Sequence, residues 1–178
     1  MADATQSTED VFSIPSSQKE FPLAPEGLHE VIVARATYSL RDNTFAPEKG
    51  KQHTVSLMLQ SKQEYLDETT QQKKHHNLFK TMKISDHEKS GMYDFFQSVL
   101  GMPVPLNEQK NIVLERKVMK LEDGGEKITF PQFENLQFSV IVKHEKREDG
   151  KTRDSVDSLF ASPEQKASNA ALFCSAKA

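Results

Sequence analysis

Residues 82–101, MKISDHEKSGMYDFFQSVLG, read as a strand that runs into a capped amphipathic helix and stops at a glycine. Ser85 and Glu88 have capping-box spacing: a hydroxyl and a carboxylate three residues on can satisfy amides that lack a helical partner. Met92, Phe95, Phe96, Val99 and Leu100 recur at spacings of three and four, which makes one apolar stripe. Gly101 is a natural C-terminal stop, and Pro103 forbids continuation. A stripe of this kind is core, suited to plugging one end of a barrel.

Strand signals flank the helix. Upstream, 77–84 alternates: Leu78, Met82 and Ile84 share one face, Phe79, Thr81 and Lys83 the other. Before it, 53–60 puts Val55, Leu57 and Leu59 on one face, and the polar stretch 61–76 reads as a long connection. Residues 28–40 form the first strand, apolar on both faces, followed by a loop holding Pro47 and Gly50. Downstream, 112–130 reads as a hairpin turning at Glu122-Asp123-Gly124-Gly125. The last two strands, 136–146 and 152–160, turn at Asp149-Gly150. Three strands, one helix and two strands make the order of a small Greek-key barrel. The expectation is a mainly β fold: a five-stranded barrel with one helix between strands three and four. A flexible arm (1–26) precedes the barrel domain (27–163, with an inserted hairpin at 111–131), and a tail (164–178) follows it.

Bulk composition narrows the classes. The 178 residues suit one domain plus tails. No apolar run approaches the roughly 20 residues of a membrane helix, and the acidic, polar N-terminus does not resemble a signal peptide. Cys174 is the only cysteine, which excludes a disulfide framework or a cysteine zinc site within one chain. An intracellular protein is expected. The net charge is −3, and residues 27–163 carry 20 Lys and Arg against 20 Asp and Glu. Any nucleic-acid site must therefore come from segregated charge.

Three segments carry a family resemblance. ISDHEKSGMYDFFQSVLG (84–101), FENLQFSVIVKHEKREDGKTRDSVDSLFASP (133–163) and PEGLHEVIVARA (25–36) resemble, in order and spacing, the helix start, closing hairpin and first strand of phage-encoded OB-fold single-stranded DNA-binding proteins. Leu136-Gln137-Phe138 stands where that family has a glycine, and the 112–130 hairpin has no counterpart there. The resemblance implies an OB-type barrel in the host cytoplasm that binds single-stranded DNA during replication or recombination, alone or as an oligomer. Replication or recombination proteins would be its partners. It implies no enzyme, no cofactor and no membrane. The alternative is a protein-interaction or virion-associated module on the same barrel.

OB barrels bind single strands across strands two and three and the flanking loops, using rings for bases and cations for phosphates. That selects Tyr38, Arg41, Phe45, Lys49 and Lys51 around the first loop, and Phe79, Lys80 and Lys83 on strand three. It also selects Lys143, Lys146, Arg147, Lys151 and Arg153 at the last hairpin. Phe79 reads equally as core, and hairpin cations read equally as solvated edges. His75-His76 lacks a third ligand at metal spacing and reads as part of a basic patch with Lys73 and Lys74. No catalytic motif stands out, and no metal site is expected.

Overall fold

One long strand, β1 (Gly27–Asp42), organises the sheet. The structure is a computed structural model and describes residues 22–44 and 46–175. Residues 1–21 of the expected arm, Phe45 and residues 176–178 lie outside the described residues. Over its first part β1 pairs with β6 (Gln137–Lys146), from Gly27↔Val142 to Ile32↔Gln137. Along its other edge it pairs with β2 (Lys51–Asp67), from Val31↔Ser61 to Asp42↔Lys51. The alternation changes sides at Ala34, because Val33 opposes Leu59 while Arg35, not Ala34, opposes Met58. This bulge sends Val31, Val33 and Ala36 all into the core. It is the reason that 28–40 looks apolar on both faces. Bulges also bend a strand, and the main chain of Val33 bonds Leu136 O (2.9 Å) and Asn135 N (2.8 Å) at the bend.

The other strands add in antiparallel fashion. β3 (Gln72–Lys83) pairs with β2, and β7 (Thr152–Phe160) pairs with β6. The inserted hairpin, β4 (Lys117–Lys120) and β5 (Glu126–Thr129), joins β1 at Thr37↔Thr129. The single sheet curls into a half-barrel, with β7 returning against β3. The mainly β organisation expected from sequence is therefore present.

Three expectations need correction. The stretch 61–76 is largely not a loop: β2 runs on to Asp67 and β3 begins at Gln72, so a ribbon extends past the core. Its residues are polar because the ribbon leaves the core, with Lys62, Gln63 and Leu66 exposed. Its turn lacks Gly and Pro. Asp67 Oδ1 accepts Thr69 N (2.9 Å) instead, and Lys74 pairs with the same carboxylate. That pairing holds the Asp67 pKa at about 2.

The second correction concerns the helix start. Ser90, not Ser85, is the N-cap, and its hydroxyl accepts Tyr93 N (3.1 Å). Ser85 is used in a loop, where its hydroxyl accepts His87 N (3.2 Å) and its carbonyl accepts the Ser90 hydroxyl (3.1 Å). Helix α1 (Gly91–Phe95) then widens into a π-helical turn (Phe96–Leu100). The wider turn lets Phe95, Phe96, Val99 and Leu100 all reach the core. Gly101 ends it at φ 62°, where a Cβ would also crowd Lys166 at 3.3 Å.

The third correction is the C-terminal tail, which is helix α2 (Pro163–Ser175). Ser162 and Gln165 form a reciprocal capping box: Gln165 N donates to Ser162 Oγ and Ser162 N to Gln165 Oε1, both at 3.1 Å. Phe173 is buried against Phe96 and Phe133, with ring centroids 5.3 and 5.4 Å away. Asn169, also buried, donates to Val99 O (3.0 Å) and Gln137 O (2.9 Å) and accepts from Gln137 N (3.0 Å). One amide thus ties α2 to both the π-helical turn and β6.

Residues 22–26, the end of the expected arm, are held on the sheet. Ala24 is buried; its N–H donates to Asp154 Oδ2 (3.0 Å) and its carbonyl accepts from His144 Nε2 (2.8 Å). His29 Nε2 donates to Pro25 O (2.6 Å). Nearby, His76 is buried with its ring on Tyr65 (4.9 Å), and burial pushes its pKa down. Asp154 and a hydrogen bond to the Pro22 main chain act the other way, while His29 adds to the lowering. Above the ordinary histidine value of about 6.5 the ring is neutral folded or unfolded. Below it, the unfolded chain takes up a proton that the buried ring resists, so stability falls with acidification. Urea midpoints measured on both sides of about pH 6.5 should fall more for the wild type than for His76→Leu. Equal losses would sink this assignment.

Candidate nucleic-acid interface

The outer face of β1, β2 and β3 is built in cross-strand rows. Register places Arg35, Met58 and Phe79 in one row, and Thr37, Ser56 and Thr81 in the next. Ser39, Thr54 and Lys83 form a third, followed by Arg41 opposite Gln52. Hydroxyls tie neighbouring strands within two of the rows: Ser39 to Thr54 at 2.7 Å and Ser56 to Thr81 at 3.1 Å. Leu78 and Met82 take the inner face, so period-two alternation forces Phe79 outward, where it is 66% exposed. It is the most exposed of the large apolar side chains among the described residues.

The sequence-derived candidates divide. Phe79, Lys83 and Arg41 share the outer face. Tyr38 does not: it opposes core Val55, its hydroxyl lies 2.6 Å from His53 Nδ1, and its ring packs on Phe130. Lys49 follows the first loop in a short 3₁₀ turn, and Lys51 opens β2 opposite Asp42. Phe45 lies outside the described residues. Lys80 alternates to the other side of β3, where its charge acts on Asp157 of β7. Lys143 binds the same carboxylate at 3.0 Å, and that bond is the main reason the Asp157 pKa is lowered. Arg153 is paired with its cross-strand neighbour Glu145 at 2.9 Å. Lys146, Arg147 and Lys151 sit at the β6–β7 turn beside Glu148 and Asp149.

Sequence reasoning passed over a cleft of about 330 Å³ between β1 and the inserted hairpin. Arg35, Lys117 and Lys127 line it with Met119 and Leu121, and Glu134 is its one acid. Among the described residues these three cations make no ion pair. The hairpin's own alternation could have flagged Lys117, Met119 and Lys127 as sharing a face, since Lys117 opposes Thr129 and Met119 opposes Lys127. Arg35 was hidden by the bulge. A second cleft of about 350 Å³, between α2 and β6, carries polar groups and Glu164 but no cation.

Among the described residues no three His, Cys, Asp or Glu side chains are grouped to hold a metal ion. His75 and His76 part to opposite sides of β3: His75 Nδ1 bonds Ser61 O at 2.8 Å, while His76 is buried. No described helix is long and apolar enough to cross a membrane. No protein-family model matches the chain, and no curated protein matches it.

Proposed function

We propose that this chain is a non-enzymatic single-stranded DNA-binding protein, built on an OB-type barrel and serving phage replication or recombination in the host cytoplasm. The observation that carries the reading is Phe79: a ring 66% exposed, in line with Met58 and Arg35, on the face that also holds Lys83 and Arg41. Bases stack on such rings regardless of sequence, and cations beside them neutralise phosphates. The strand order supports the barrel assignment. β1 pairs with β2 and β6, β2 with β3, and β6 with β7, with α1 between β3 and β6 and the β4–β5 hairpin as an insertion. The resemblance of 25–36, 84–101 and 133–163 to phage-encoded OB-fold proteins points the same way.

Fluorescence anisotropy with labelled oligo(dT) tests it. Micromolar protein should bind at low salt, release the oligonucleotide as salt rises, and bind duplex of equal length much more weakly. Absence of oligo(dT) binding at low salt would end the proposal. The competing reading, a protein-interaction or virion-associated module, draws on β4, which among the described residues pairs only with β5 and exposes Val118 and Met119. A specific protein partner recovered from nuclease-treated lysate, without oligo(dT) binding, would favour that reading.

A further inference from the structure

We infer that the inserted β4–β5 hairpin is the second wall of the binding groove, and that the cleft beneath it holds the sugar–phosphate backbone of the strand whose bases stack at Phe79. The inference rests on the single-strand reading above and adds to it a path and a set of phosphate contacts.

Two independent observations carry it. The first is continuity. Phe79, Met58 and Arg35 form one row across β3, β2 and β1, and Arg35 is at once the end of that row and a wall of the cleft. A single strand lying along the row reaches the cleft at Arg35. From β3 to β4 the path crosses four interstrand steps of about 4.8 Å, or roughly 19 Å, enough for several nucleotides. The bulge at Ala34 fixes this geometry, because without it Arg35 would point into the core.

The second observation is the state of the charges. Lys143 and Arg153, the cations of the far hairpin, are each paired with an acid on the neighbouring strand. Arg35, Lys117 and Lys127 converge on a concave surface with one acid, Glu134, among the lining residues, and are unpaired among the described residues. Three like charges set against a single acid leave an excess of positive charge that favours an anion between them. Met119 and Leu121 line the same cleft and give sugars or bases an apolar surface. A backbone of singly charged phosphodiesters with apolar neighbours fits this mixture. In a chain of net charge −3, this is the segregated charge that a nucleic-acid site requires.

The test is salt dependence of oligo(dT) binding by the full chain. Each phosphate neutralised on a single strand contributes about −0.7 to the slope of log K against log salt. The variant Arg35→Gln/Lys117→Gln/Lys127→Gln should therefore bind with a slope shallower by about 2, and with affinity lowered on the order of 100-fold at low salt. The single variants Lys117→Gln and Lys127→Gln should each flatten the slope by about 0.7, which keeps the test open if the triple variant misfolds. Wild-type binding with slopes unchanged in all variants overturns the cleft while leaving the single-strand reading intact. No oligo(dT) binding by the wild type overturns both.

Discussion

Phe173→Ala should lower the melting temperature by roughly 6–20 °C. Truncating a buried phenylalanine costs about 3–5 kcal/mol, and in a chain of this size each kcal/mol shifts the midpoint by about 2–4 °C. Phe173 is 1% exposed. It completes a cluster of phenylalanine rings (Phe95, Phe96, Phe130, Phe133, Phe138) whose paired centroids lie 5.3 to 6.2 Å apart. Edge-to-face pairs of this kind add to the apolar burial itself. The neighbouring Leu172→Ala is the control, because Leu172 is exposed and its loss should be nearly silent. Circular-dichroism melts of the two variants decide the matter. A Phe173→Ala midpoint matching wild type would mean that α2 does not dock as described. Because Asn169 bonds both main-chain groups of Gln137, removal of α2 should also fray the start of β6.

Phe79→Ala should weaken oligo(dT) binding by roughly 5- to 150-fold, the equivalent of the ~1–3 kcal/mol that a stacked base contributes. Stability should change little or rise, because the ring is mostly in water. The slope of affinity against salt should also be unchanged, because no charge is lost. Phe79→Tyr or Phe79→Trp should retain binding, since any flat ring can stack. Full affinity in Phe79→Ala, measured by anisotropy, would remove the ring from the interface. Loss of affinity with parallel loss of folding would assign it to the core instead. The contrast with the cleft variants is diagnostic: stacking changes affinity at constant salt slope, and phosphate contacts change both.

Much of the sheet was legible because alternation and turn chemistry are local. Val55, Leu57 and Leu59 face inward as spaced, and so do Phe138, Val140 and Val142. Two of the hairpin turns, β4–β5 and β6–β7, fall where Asp-Gly marks them, closed by Gly124 N to Leu121 O and Gly150 N to Arg147 O, each at 3.0 Å. The ribbon at 61–76 was not legible, because strands that leave the core lose the apolar alternation that identifies them. Helix α2 was signalled by Ser162-Pro163-Glu164-Gln165, a cap with proline at the first helical position. Only Asn169 and Phe173 of its residues are buried, so no wide apolar stripe accompanied the cap. Ser85 and Glu88 have the capping-box spacing, and Ser90 does not. What selects Ser90 is packing, since Met92 and Phe95 must reach the core from the first turn.

Local patterning marks the alternation of β3, β6 and the core part of β2, the two turns at Asp-Gly, and the apolar stripe buried by residues 91–101. These follow from covalent geometry and hydrophobicity within a few residues. Which cations are available depends on long-range strand pairing. Lys143 and Arg153 meet Asp157 and Glu145 through strand register, while Arg35, Lys117 and Lys127 meet each other through a bulge and an inserted hairpin. A charge is read in the sequence, but its partner is set by the strand laid beside it. The candidate binding face therefore centres on Phe79, where local alternation and long-range pairing agree.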